Sequence, residues 1–366
     1  MSSLDNDIQS TRWAFVDCTA GHPDRHKRAD RLRRLLYRRY LDHEESSDLD
    51  ECIHLAQQTL SDEATTESDS AACVKSLAIY LYSRYENTGH ESDLVDSIRF
   101  IRQELDATPD GPDKAGTLHQ LGDRLHDSYT NFRHPEHLDE AIKVLRQAVA
   151  LSPEGPERTD HLYFLGVCLG GSHSRTQVMA DIEEAINFAR QTVEATPDGP
   201  SRLAYLQNLG ANFLDRYYAT RDIEDLEQAI NIATQTVDED QSNEGGPHSD
   251  YVIDLASGLQ ERFQATGNSE DLEKAVLMVR EAVASKSPRK RPLEDELDIF
   301  YGILMDRYSL TGDTADFDEA LDAKRRTVNQ ISDNNPRKSL PLNNLGTILA
   351  TRYLRSGALA YLEEAI

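Results

Sequence analysis

The chain is poor in positive charge, in paired cysteines and in long apolar runs. Lys and Arg number 39 against 65 Asp and Glu, a formal charge of −26. Such a surface repels phosphate backbones and anionic lipid headgroups, which argues against nucleic acid and membranes as partners. No apolar stretch approaches the roughly 20 residues of a membrane span. The opening MSSLDNDIQSTRW lacks the charged and apolar regions of a secretory signal, so the expected compartment is the cytoplasm. Cys18, Cys52, Cys73 and Cys168 include no Cys-x-x-Cys spacing and read as reduced packing residues rather than a redox or zinc pair. Hydrophobic residues make up only 38%, low for a compact core in 366 residues and suited to an elongated array.

What the chain does have is a repeated phrase. HLDEAI (137–142), DIEEAI (181–186), DLEQAI (225–230), DLEKAV (271–276) and YLEEAI (361–366) share one pattern. Its apolar anchor falls at Leu49, Leu94, Leu138, Ile182, Leu226, Leu272, Phe317 and Leu362, at intervals of 44 to 46 residues. Three residues after each anchor stands a small residue: Cys52, Ser97, Ala141, Ala185, Ala229, Ala275, Ala320 or Ala365. A small side chain there permits close helix contact.

Upstream of each anchor, apolar residues recur at helical spacing, as in LQNLGANFLDRY (206–217) and LNNLGTILATRY (342–353). The inner positions of this first helix include Leu32, Leu77, Leu121, Leu165, Leu209, Leu255, Phe300 and Leu345. The next residue is a tight position, Ala78, Gly122, Gly166, Gly210, Ala256 or Gly346, but Arg33 and Tyr301 occupy it in two copies, which are expected to pack differently. Pro and Gly in ATPDGP (107–112), LSPEGP (151–156) and ATPDGP (195–200) end the second helix. Each unit therefore reads as helix, loop, helix, linker. The expected fold is an all-α, right-handed α-solenoid of tandem helix-turn-helix repeats. Residues 1–28 form an N-terminal segment with a trailing half-repeat, and 29–366 hold about seven helix pairs plus a truncated last repeat.

With Leu, Gly, Ala and Pro placed as in LGDRL…LDEAIKVLRQAVALSP, the chain resembles a tetratricopeptide repeat array, whose usual unit is about 34 residues. The longer unit, with LNNLG, RY and TGD, is similar to arrays of about 44 residues per repeat in fungal multidomain proteins associated with CHAT-type caspase-like or NACHT-type nucleotide-binding domains. The resemblance implies a non-catalytic scaffold that binds a protein or peptide on its concave face, with no cofactor and no metal. It implies, as the alternative, the recognition or regulatory arm of a larger effector. Peptide binding in such arrays uses Asn and Gln of the first helices, which donate and accept together. The corresponding residues here are His119, Gln120, Tyr163, Gln207, Asn208, Asn343 and Asn344. The acidic balance points to a basic segment as the ligand. The apolar edge Leu342, Leu345, Ile348 and Leu349 is expected to drive self-association through the C-terminal end.

Three other constellations have structural readings. The recurring Arg39-Tyr40, Arg84-Tyr85, Arg216-Tyr217, Arg307-Tyr308 and Arg352-Tyr353 read as a ring covering the core and a guanidinium bonding loop carboxylates or terminal carbonyls, rather than as a phosphate stripe. One copy has Ser172-His173 in GGSHS instead, so the helix is expected to fray or a gap to open there; the region lacks the strand-to-helix turn of a nucleophile elbow. His134 and His137 in HPEH have no third and fourth ligand at metal-site spacing and read as a loop cap. The basic runs at 25–39 and 286–292 read as surface, the first able to pair with acidic faces.

Overall fold

The structure, a computed structural model, describes residues 3–19, 22, 24–62, 65–197, 199–240, 247–284, 293–332 and 338–366, and these hold helices and connections with no strand. The chain divides into two compact units, Met1–Asp181 and Ile182–Ile366. The first contains α1 (Ser3–Val16), α2 (Arg25–His43), α3 (Ser46–Ser61), α4 (Glu67–Thr88), α5 (Glu91–Ala107), α6 (Pro112–Phe132), α7 (Pro135–Leu151) and α8 (Pro156–Thr176). The division falls within α9 (Met179–Ala195). The second contains α10 (Pro200–Thr220), α11 (Ile223–Asp240), α12 (Ser249–Thr266), α13 (Ser269–Ala284), α14 (Leu293–Thr311), α15 (Thr314–Gln330), α16 (Ser339–Ser356) and α17 (Leu359–Ala365). In each unit consecutive helices pack on one another, the arrangement of an all-α helical-repeat solenoid. None of the described helices is long and apolar enough to cross a membrane. The basic run at 286–292 lies outside the described residues.

The repeated apolar positions are the core. Leu49, Leu94, Leu138, Ile182, Leu226 and Leu272 are each fully buried, and so are the small residues Cys52, Ser97, Ala141, Ala185, Ala275 and Ala320. The small residue sits against the tight position of its own repeat's first helix: the Ser97 hydroxyl donates to the Ala78 carbonyl at 2.7 Å, and the Cys52 thiol to the Arg33 carbonyl at 3.3 Å. At Gly122 the approach is closest, since a Cβ built there would lie 2.7 Å from Leu145 Cγ. The two exceptional copies do pack differently. Arg33 is 2% exposed with its guanidinium on Thr59 and Asp30, and Tyr301 is half-buried under the Lys324 ammonium, 4.7 Å from the ring centre. The repeat spacing also extends into α1. Leu4 lies 45 residues before Leu49, and α1 contributes Leu4 and the buried Ile8 to the first core as an earlier second helix would.

Ion pairs clasp this core at a fixed spacing. Arg39, Arg84, Arg216, Arg262 and Arg307, near the end of a first helix, each fork the carboxylate nine residues on, in the first turn of the following second helix: Asp48, Asp93, Asp225, Asp271 and Asp316. In the Arg84 fork both bonds are 2.8 Å. The remaining guanidinium nitrogen reaches back to the second helix before it, Arg39 to Asp5 at 3.0 Å, Arg84 to Asp50 at 2.9 Å, Arg262 to Glu227 at 2.8 Å and Arg307 to Glu273 at 3.1 Å. One guanidinium thus ties three helices, and hydrogen bonding to the forked Asp holds the Arg84 and Arg262 pKa well above the ordinary value. The exceptions are consistent with this division of roles. Ser128 replaces Arg where His137 replaces Asp and Val95 replaces the preceding acid, and Ser128 pairs with His137 at 2.8 Å. Arg352 faces Tyr361 in place of Asp, and its Nε has no hydrogen-bond partner among the described residues.

The expected fraying at GGSHS does not occur. Ser172 and His173 are 5% and 2% exposed, α8 continues to Thr176, the Ser172 hydroxyl donates to Asp181 at 2.7 Å and His173 Nδ1 meets the Val178 carbonyl at 2.9 Å. Serine thus keeps the bond to the anchor-side carboxylate that arginine makes elsewhere, and this commits its hydroxyl to Asp181. Every first helix of the repeats then closes on a left-handed residue whose N–H bonds the carbonyl four residues back, as Gln177 (φ 60°) does to His173 at 2.7 Å.

Two predictions test this packing. Gly122→Ala lowers stability by about 1–3 kcal/mol through overpacking on Leu145, whereas Gly116→Ala on the same helix, where a Cβ meets nothing within 4 Å, raises it by up to about 1 kcal/mol; urea unfolding checks the opposite signs. Arg262→Ala strands the 2% exposed Asp271 carboxylate and costs about 3 kcal/mol, while Asp271→Asn leaves a guanidinium that water still reaches and costs about 1 kcal/mol. A larger loss for the Asp variant refutes the assignment of the buried charge as the vulnerable partner.

Candidate functional site

Because the period is constant, the outward side chains of neighbouring first helices align in rows, and the residues expected to bind a ligand lie in these rows. In the first unit, His119 and Gln120 of α6 and Tyr163 of α8 are half-buried. His119 stacks on His161 at 4.8 Å and meets the edge of Phe164 at 5.4 Å, and Phe164 also meets His126 at 5.4 Å. The helical spacing of His119 and His126 brings both rings to the same neighbour on α8. Burial pushes the pKa of His119 and His126 down and that of Asp123 up, the last opposed by Arg124, which bonds Asp123 at 2.9 Å and lies 3.8 Å over the Tyr82 ring. The Tyr82 hydroxyl donates to Asp127 at 2.6 Å, joining α4 to α6. His119 Nδ1 is buried without a hydrogen-bond partner among the described residues.

In the second unit, Gln207 and Asn208 of α10 are half-buried, and Asn343 and Asn344 of α16 are exposed. Gln207 Nε2 donates to Asp254 of α12 at 3.2 Å, and Asn208 Oδ1 accepts from Asn212 at 3.2 Å. Further along the row Gln260 and Gln264 both donate to Asp306 of α14, at 2.7 and 2.8 Å, and the Tyr218 hydroxyl donates to Glu261 at 3.0 Å. The glutamines Gln207, Gln260 and Gln264 are therefore already paired with carboxylates of the next repeat, and α10 is separated from Asn343 and Asn344 by two intervening first helices. The sequence pattern had not singled out Asp306, Gln260, His161 or His126; spacing of about one repeat between a Gln and an Asp, 47 for Gln207 and Asp254, is the signal that finds such pairs. Arg262 was hidden because Phe263, not Tyr, follows it, although Asp271 stands nine residues on.

Elsewhere, His134 precedes the first turn of α7, its Nε2 2.9 Å from Glu91, and among the described residues no group of three or more His, Cys, Asp or Glu is arranged to hold a metal ion. All four cysteines are buried as free thiols.

The tetratricopeptide repeat family model matches residues 342–366. No curated protein matches the sequence. Among solved structures, the human IFIT1 dimer with PPP-AAAA is similar over 99% of this chain and 72% of its own, with 13% identity and a TM-score of 0.53. A tetratricopeptide repeat protein from Parabacteroides merdae is similar over 81% of this chain and 92% of its own, with 12% identity and a TM-score of 0.46. At such identity the likeness to human IFIT1 is one of fold alone, a helical-repeat solenoid, and the tetratricopeptide repeat match is confined to residues 342–366.

The histidine pair generates a pH prediction. Burial, and secondarily the neighbouring His119, lower the His161 pKa to about 4, with Asp160 and Glu157 opposing, so the folded ring is neutral at pH 7. The unfolded ring titrates near about 6.5; stability therefore falls as pH drops below that value and stops falling, for this group, near 4. His161→Gln, which keeps a partner for the Ser152 hydroxyl now 2.9 Å from Nδ1, is expected to flatten this acid limb. Urea midpoints at pH 7 and 5 that differ equally in both proteins would refute the assignment.

Proposed function

We propose that the chain is a non-catalytic protein-interaction scaffold whose first-helix rows hold a protein or peptide segment, and that the row of the second unit favours a basic one. The observation that carries this reading is the run of amide-to-carboxylate pairs Gln207–Asp254 and Gln260–Asp306 along neighbouring first helices. Each pair can exchange its mutual bond for bonds to a ligand, the amide to a peptide backbone and the carboxylate to a Lys or Arg, so binding need leave no polar group unsatisfied. Asn208 supplies a further amide beside Gln207, and Glu261 adds a carboxylate to the same row. In the first unit, His119, with its unpaired ring nitrogen, Gln120 and Tyr163 form the corresponding set. The net charge of −26 draws basic segments by long-range attraction. Human IFIT1 has been solved with PPP-AAAA, but phosphate recognition requires concentrated positive charge, and the row in the second unit of this chain carries Asp254, Glu261 and Asp306.

The test is binding of a Lys- and Arg-containing peptide library to the full chain, followed by the double variant Asp254→Asn, Asp306→Asn. The expected outcome is a loss of about 1–3 kcal/mol in affinity for the selected peptides and a weaker dependence on salt. Unchanged affinity moves the site off this row, and no enrichment of basic peptides overturns the charge argument.

A further inference from the structure

One first helix reverses the charge of the row. On α2 the exposed residues Lys27, Arg31, Arg34 and Arg38 stand at spacings of four, three and four, a single stripe along the helix. The same repeat positions on α6 hold Gly116, Gln120, Asp123 and Asp127, and on α4 they hold Ala72, Ser76, Ile79 and Ser83. That these helices present equivalent faces side by side follows from two contacts of equal register, Tyr37 hydroxyl to Ser83 at 3.2 Å and Tyr82 hydroxyl to Asp127 at 2.6 Å. Within the first unit the row therefore runs from basic on α2 through neutral on α4 to acidic on α6.

The α2 stripe is also largely unspent. Most arginines elsewhere among the described residues are held in clasps, surface pairs or ring contacts, Arg133 and Arg326 being exceptions, and the other basic residues of α2 are engaged too: Arg28 bonds the Ala14 carbonyl, Arg33 is buried, and Arg39 clasps Asp48 and Asp5. Of the stripe only Arg34 has an ion pair, with Asp30 one turn before it; Lys27, Arg31 and Arg38 have none among the described residues. In a chain with 65 acidic residues, three exposed cations in line without a carboxylate are a surface awaiting one.

We infer that the exposed face of α2 is a docking site for a short acidic segment of a partner protein. From Lys27 to Arg38 it runs twelve residues, a rise of about 16 Å, the span of about five extended residues. The acidic α6 face lies two helix spacings away, about 20 Å, beyond the Debye length of about 8 Å at physiological salt, so it does not cancel attraction at α2. A long polyanion such as RNA would extend past the stripe onto the acidic surface, and this favours a short polypeptide over nucleic acid. The inference does not depend on the basic-segment reading for the second unit, and each fails separately in the same titration series.

The experiment is fluorescence anisotropy with the full chain and three labelled probes: a peptide with five consecutive Glu flanked by Gly and Ser, its Lys counterpart, and a twelve-nucleotide oligouridylate. The Glu peptide is expected to bind through α2 and to weaken about tenfold or more in Arg31→Glu, Arg38→Glu, while Lys143→Glu, the same kind of charge change on exposed α7, shifts it less than about twofold. Circular dichroism of both variants establishes that they fold. No binding of the Glu peptide, equal loss in Lys143→Glu, or tighter binding of the oligouridylate overturns the proposal. Sedimentation that shows self-association of the unliganded chain, abolished by Arg31→Glu, Arg38→Glu, overturns it in favour of a second copy as the occupant.

Discussion

A helix pair of this kind cannot bury its apolar face by itself, and the structure follows from that constraint. Within each unit, the anchors Leu49, Leu94, Leu138, Leu226 and Leu272 are removed from water where a first helix before the second helix and another after it pack against it. The small residue three positions on lets the two helices of a pair approach until Ser97 reaches the Ala78 carbonyl, and Gly122 leaves room for Leu145 where even a methyl group would collide. Stability of such an array is a sum over pairs and their interfaces.

Apolar packing sets the distance between helices but tolerates sliding, and the arginine clasps remove that freedom. A planar guanidinium forked on one carboxylate and bonded to a second has a single comfortable position relative to both helices. Because the forked Asp is nearly inaccessible while the guanidinium is partly wet, the clasp specifies alignment more than it adds net stability. The members of the clasp vary separately: Ser128, His137 and Val95 replace all three in one copy, Ser172 replaces the cation while Asp181 stays in another, and Tyr361 replaces the forked Asp while Arg352 stays in a third.

Regular stacking then turns single residues into rows. Polar side chains at one repeat position become neighbours on adjacent first helices, and the chemistry of the surface is that of the row. In the second unit the row alternates amides and carboxylates that satisfy one another; in the first it passes from the unpaired cations of α2 to the half-buried Asp123 and the stacked histidines. A binding surface made in this way reads a ligand by the order of its charges.

The sequence by itself determined the all-α repeat class, the period and the buried positions, because helical periodicity is local and each repeat meets a neighbour like itself. The seven polar residues singled out along the first helices were legible only as positions. Whether Gln207 is free or bonded to Asp254 depends on a side chain 47 residues away, and whether GGSHS frays depends on Asp181 offering Ser172 the bond that arginine makes elsewhere. Within the N-terminal half-repeat, Leu4 and Ile8 lack the rest of the phrase and are recognised by the core they join. Tertiary structure alone decided which charges are paired. The basic run of α2 reads as one block in sequence, but folding consumes Arg28, Arg33 and Arg39 in bonds to other helices and leaves Lys27, Arg31 and Arg38 facing water, because a helix turns each residue by about 100° and only the packed face finds partners.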